Sequence, residues 1–155
     1  MTEAVQENSQ PMFNIEKLYV RDLSLEIPHA PHIFLERENP QIEVQLNTET
    51  ATIEADVYEV MITTTVTAKV GEKVMFLIEA KQAGIFRLSN LPKEDMESVL
   101  AVMCPSILFP YLREVVSNVA VRAGFSPVML NPVNFEMLYQ QHKQEQAQAA
   151  AATTH

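Results

Sequence analysis

The chain has 155 residues, a net charge of -9 and a single cysteine, Cys104. Its acidity argues against nucleic acid or an anionic membrane surface as a partner, because like charges repel over a Debye length of about 8–10 Å, and one thiol excludes an intramolecular disulfide or a cysteine-based zinc site. No apolar run in the sequence approaches the roughly 20 residues of a membrane span, and the polar start Met1–Gln10 lacks the basic and apolar regions of a secretion signal, so one soluble cytosolic domain is expected.

Residues 1–11 read as a disordered arm ending at Pro11. From Phe13 to Ile27 the apolar residues alternate, but their parity shifts twice, which predicts one long strand with bulges near Lys17 and near Arg21–Asp22. Pro28-His29-Ala30-Pro31-His32 ends it, and Ile33-Phe34-Leu35 is an apolar plug inside a long connection to Pro40. A second strand spans Gln41–Asn47, with Ile42, Val44 and Leu46 on one face.

The third strand, Asp56–Val70, sets Tyr58, Val60, Ile62, Val66 and Ala68 against Glu59, Thr63, Thr65, Thr67 and Lys69. Gly71-Glu72 turns the chain into a fourth, Lys73–Ala83, where Val74, Phe76, Ile78 and Ala80 oppose Met75, Leu77, Glu79 and Lys81. Four strands followed by helices is the pattern of an α+β domain: a four-stranded antiparallel sheet with its helices packed on one face.

A short helix opens at Pro92, with Met96, Val99, Leu100 and Met103 on one stripe and Pro105 breaking it. The main helix follows, started or kinked by Pro110. Leu108, Leu112, Val115, Val116, Val119 and Ala123 make its apolar stripe, and Gly124 stands at the C-terminal cap. Tyr111, Ala120 and Val121 fall off that stripe, which suggests cover from a second side. Asn134 can cap a last helix whose Phe135, Leu138, Tyr139 and His142 align. The domain is expected to span 12–143, with a flexible Gln/Ala-rich tail over 144–155.

Catalytic signatures are nearly lacking. The three glycines stand alone, so no phosphate-cradling loop exists, and no nucleophile and base share a motif. Cys104, in apolar surroundings, reads as a structural thiol. His29 and His32, near Glu36 and Glu38, are the sharpest metal candidates, yet on a proline-rich loop they read as loop residues. The expectation is therefore no enzyme, no cofactor and no metal.

Two binding features stand out. If the helices cover one sheet face, Met75, Leu77 and Glu79, with Asp22 and Glu26 of the first strand, make the other an acidic platform with an apolar centre, suited to a basic partner. The same pattern describes a solvated face with two tolerated apolar residues. Separately, the 33–35 plug, the 42–46 strand and the last helix supply more apolar surface than one helix layer needs. That surplus describes either a binding groove or an ordinary core with a subunit interface.

Seven stretches stand in order between about Phe13 and about Gln141: Tyr19-Val-Arg-Asp-Leu-Ser-Leu-Glu26, Pro28-His-Ala-Pro-His32, Asp56-Val-Tyr-Glu-Val60, Phe76-Leu-Ile-Glu79, Gln82-Ala-Gly-Ile-Phe86, Cys104-Pro-Ser-Ile-Leu-Phe-Pro-Tyr111 with Arg113-Glu114, and Pro132-Val-Asn-Phe135. In that order and at that spacing they resemble the bacterial protein-export chaperone family SecB. The resemblance implies a homotetramer, a dimer of dimers joined through long helices. It implies an ATP-independent cytosolic holdase that binds unfolded secretory precursors and passes them to the translocation motor SecA, without nucleic acid and without inserting into the membrane.

Carried over by residue, the SecA-facing surface falls on Asp22, Glu26, Leu77 and Glu79. The client groove falls on Ile42, Val44, Leu46, Tyr58, Ile78, Ala80 and Gln82, with Ile33, Phe34, Leu138 and Tyr139 beside them. Family tails are often acidic and can add a contact to SecA, whereas residues 144–155 keep one acid, Glu145. Two alternatives stand beside the export reading: an oligomeric small-molecule or acyl-binding enzyme, and a SecB-like chaperone of a toxin–antitoxin system.

Overall fold

A computed structural model describes residues 10–153. The expected arm therefore lies outside the described residues except for its last two positions, as do the final two residues of the tail.

Four antiparallel strands form one sheet in the order β1-β4-β3-β2, with β1 at Met12–Glu26, β2 at Gln41–Glu54, β3 at Val57–Val70 and β4 at Lys73–Ser89. Two hairpins build its middle and one edge. The first turns at Asp56, and the second turns at Gly71, where φ is +60° and an L side chain is disfavoured. β1 and β2 lie at opposite edges, so the chain between them must cross the end of the sheet. That crossing explains the apolar plug: Ile33, in a single 3-10 turn over His32–Leu35, is buried in the core.

The expected bulges are present. β1 skips one residue at Glu16 and one at Arg21 against β4, and each extra residue restores the apolar row to the same face. β2 and β4 are longer than their periodicity predicts. Residues 48–54 of β2 are polar or exposed on both faces, so ladder hydrogen bonds to β3 hold them rather than burial. β4 continues through Gly84 because a bare Cα is needed there: a Cβ would stand 2.7 Å from the Phe86 ring. A register shift opposite Ala68–Lys69 makes Met75 an extra residue of β4. It turns into the core beside Phe76 instead of joining the open face where alternation put it.

The helical layer lies across β4 and β3. Helix α1 (Lys93–Ser98) runs through a wider π-type turn at Val99–Met103 into α2 (Cys104–Arg122). Pro105, expected to break the helix, is carried in the first turn of α2. It has no N–H to offer the carbonyl of Ala101, and the wider turn makes room for its ring. Pro110 sits inside α2 rather than at its start. The buried row is Cys104, Leu108, Leu112, Val116 and Ala120, spaced by four, facing Ile62, Val66, Ile78 and Ala80 among the core residues.

Ala120 thus belongs to the core, whereas Val115 and Val119 are half-buried at its edge and Tyr111 and Val121 are exposed. Each fully buried Leu or Val stabilises the fold by about 1.5–3 kcal/mol. Residues 93–122 are long and apolar enough, by length and composition alone, to cross a membrane, a property shared by core helices of soluble proteins. The sequence reading missed this run because it split the segment at Pro105.

Gly124 closes α2 with φ at +92°. Asn134 caps α3 (Phe135–Ala152), its Oδ1 accepting from the Met137 amide at 3.0 Å. α3 runs well past Lys143, the last residue assigned to the domain. The stretch beyond is exposed and helical, as its Ala and Gln content favours, and the Thr153 hydroxyl donates to the carbonyls of Ala149 and Ala150.

Candidate functional site

On the helix-free face of the sheet, ladder register brings the four predicted platform residues together. Glu26 lies opposite Leu77, Ser24 opposite Glu79 and Asp22 opposite Lys81. Directly opposed residues of an antiparallel pair share a face, so Asp22, Glu26, Leu77 and Glu79 occupy adjacent positions on two neighbouring strands. Asp22 and Glu26 are exposed, and Leu77 and Glu79 are half-buried between strands. The Arg21 bulge makes this possible: without it Asp22 and Glu26 would fall on the helix side.

Among the described residues the ion pairs are Arg21–Glu59 and Arg87–Glu16, each at 2.6 Å, so none of the three platform acids is engaged in one. Glu59 also accepts from the Tyr19 hydroxyl. Burial first, then that hydrogen bond and the Glu59 charge, push the Tyr19 phenol up to about 12.

On the helix side, two cavities open along β2. One, of about 280 Å³, is lined by Ile33, Phe34, Ile42, Met75, Phe76 and Phe125, with Glu36 at its wall. The second, of about 310 Å³, is lined by Leu46, Asn47, Thr48, Ala101, Phe135, Leu138, Tyr139 and His142. Ile42 belongs to the first cavity and Leu46 to the second. Val44, 49 % exposed, stands between them on the same face, making one apolar row about 13 Å long.

The remaining groove candidates are placed elsewhere. Ile78, Ala80 and Gln82 lie under the helical layer, none more than 3 % exposed, where they fill the core and line neither cavity. Among the described residues the Gln82 Oε1 finds no hydrogen-bond partner there. Tyr58 is half-buried further along β3, its hydroxyl 3.3 Å from the Met96 sulfur.

Sequence reasoning missed Phe125 and Phe76 as cavity walls. Phe125 stacks on Phe34 at 5.2 Å between centroids and meets Phe76 at 4.7 Å. It sits in the irregular 123–134 connection, where no periodicity marks a lining residue.

The profile of the family described as "Preprotein translocase subunit SecB" matches residues 6–146. The protein-export protein SecB of Methylobacillus flagellatus is 57% identical over 99% of this chain and 98% of its own. That of Nitrosomonas eutropha is 61% identical, over 95% of this chain and 91% of its own. The chain belongs to the SecB family. A solved SecB-like chaperone of Mycobacterium tuberculosis, in complex with an antitoxin peptide, shares the fold at 15% identity. Its TM-score is 0.64, and the match covers 78% of this chain and 90% of that one.

The SecB match spans both the acidic face and the two cavities. Cys104 is fully buried, and burial pushes its thiol up to about 12, leaving it protonated and unreactive near neutral pH. His29 and His32 line a separate opening with Pro28, Glu36 and Lys73. No group of three or more His, Cys, Asp or Glu able to hold a metal occurs among the described residues.

Proposed function

We infer that this SecB-family chain is a holdase chaperone of bacterial protein export. It keeps secretory precursors unfolded in the cytosol, without ATP and without chemistry, and delivers them to SecA. The observation that carries the reading is the apolar row Ile42, Val44, Leu46 joining two open cavities. An extended client laid along it places one bulky side chain in each cavity, the first walled by Phe34 and Ile33, the second by Leu138 and Tyr139. Each contact is weak, and many along one client multiply through effective concentration.

The acidic face of Asp22, Glu26, Leu77 and Glu79 is the SecA-binding surface in this reading. Among the described residues its acids form no ion pair, so a basic partner has no internal salt bridge to break there. Because this face lies opposite the cavities, client and SecA can be held together.

Assembly as a homotetramer is supported by apolar surface that the single chain leaves uncovered. Val20 and Leu23 of β1 face the helix side opposite Gln82 and Ala80, yet are 46 % and 44 % exposed, and Tyr111 and Val121 of α2 are likewise open. A dimer through the β1 edge, and a dimer of dimers through α2, would bury both.

The test is light-scattering mass after size exclusion, with and without a slow-folding precursor diluted from denaturant. A tetramer that gains the mass of one unfolded precursor and ignores the folded one supports the reading. A particle blind to unfolded chains overturns it.

A further inference from the structure

Arg21 is the extra residue of the second β1 bulge, and in such a bulge its side chain emerges on the open face beside that of Asp22. Its guanidinium reaches over Ala83 of β4, a residue with no exposed surface, to Glu59 of β3 at 2.6 Å and to the Met61 sulfur at 3.7 Å. The second Glu59 oxygen accepts from Tyr19, two residues earlier in β1. One carboxylate thus holds two side chains of the edge strand across the width of β4. Arg21 is half-exposed, with 51% of its side-chain surface open, so burial does not immobilise it; Glu59, at 17%, is the fixed partner.

We propose that Glu59 is a positioning residue for the acidic surface: it draws the Arg21 guanidinium away from Asp22 and keeps that carboxylate available to a basic partner. This rests on reading Asp22, Glu26 and Glu79 as the SecA-binding surface. Released from Glu59, the guanidinium would have Asp22, its neighbour in the chain, as an exposed acid beside it on the same face. An internal cation would then compete with the partner's own. Lys81, opposite Asp22, is already the other cation of that row, so a freed Arg21 would set two positive charges around one acid.

The experiment is calorimetric titration of SecA into the full-length assembly at low and at physiological ionic strength. Glu59→Gln is expected to weaken binding about fivefold at low salt, with the difference shrinking as salt screens it. The double variant Glu59→Gln with Arg21→Gln is expected to return to within about twofold of the parent, because the competing cation is gone. Arg21→Gln alone should bind no more weakly than the parent, and capture of unfolded precursor should be unchanged throughout.

Unaltered SecA binding in Glu59→Gln, no recovery in the double variant, or weakened binding in Arg21→Gln would each overturn the proposal. Asp22→Lys serves as the reference. If it leaves SecA binding intact, the surface reading itself fails; if it abolishes binding while Glu59→Gln does nothing, only the role of Glu59 fails.

Discussion

Phe34, in the crossover between the sheet edges, stacks on Phe125, in the connection after α2, with centroids 5.2 Å apart and planes 17° from parallel. The pair closes one end of the apolar row, and Gly124 packs against the Phe34 ring. A Cβ at Gly124 would stand 3.2 Å from the Phe34 ring, and the backbone there is left-handed.

Gly124→Ala should therefore cost about 1–2 kcal/mol of stability from the left-handed backbone alone and displace Phe34 as well. Urea denaturation checks the first effect. A selective loss of affinity for peptides with an aromatic anchor checks the second, and unchanged peptide binding would place the aromatic anchor elsewhere.

Val44→Asp puts a charge midway along the row without touching the buried core, since Val44 is already half-exposed. Capture of unfolded precursor should fall at least tenfold by light scattering or fluorescence, with assembly mass retained. Ala80→Asp, by contrast, buries an unpaired carboxylate under α2 and should lower stability by several kcal/mol.

Charge reversal at Asp22 and Glu79 should abolish SecA binding in a pull-down or titration while leaving client capture and assembly mass intact. Loss of client capture instead would contradict the separation of the two surfaces on opposite faces of the sheet.

Cys104 should resist alkylation in the native protein at pH 8 and react fully in denaturant, since the thiolate is disfavoured by burial. Rapid native labelling followed by mass spectrometry would show that α2 opens locally.

Tyr19 makes stability pH-dependent at the alkaline end. Its phenol titrates near 10.0 when unfolded and near 12 when folded, so folding favours the protonated form. That contribution is fully present below about pH 10 and is lost as pH rises through 12. Tyr19→Phe should flatten the loss of stability between pH 10 and 12, as followed by urea midpoints.

The strand faces, the two β1 bulges, the Gly71 turn, the Asn134 cap and the acidic face were legible in the sequence. Each is written in local alternation or in a residue that one backbone geometry demands. Asp22, Glu26, Leu77 and Glu79 could be grouped because parity along their strands, once the β1 bulges are allowed for, fixes the face of these four side chains.

Tertiary contacts decided the rest. Met75 left the open face because a register shift against β3, which no single strand encodes, turned it inward. Ala120 joined the core because α2 settles its 104–120 row, rather than its 115–119 edge, on β4. Ile78, Ala80 and Gln82 share their strand face with the groove row, yet only the position of α2 across β4 and β3, and not β2, separates filling from lining. Periodicity reports which side of an element is apolar, and only packing between elements decides how much of that side stays open to bind a client.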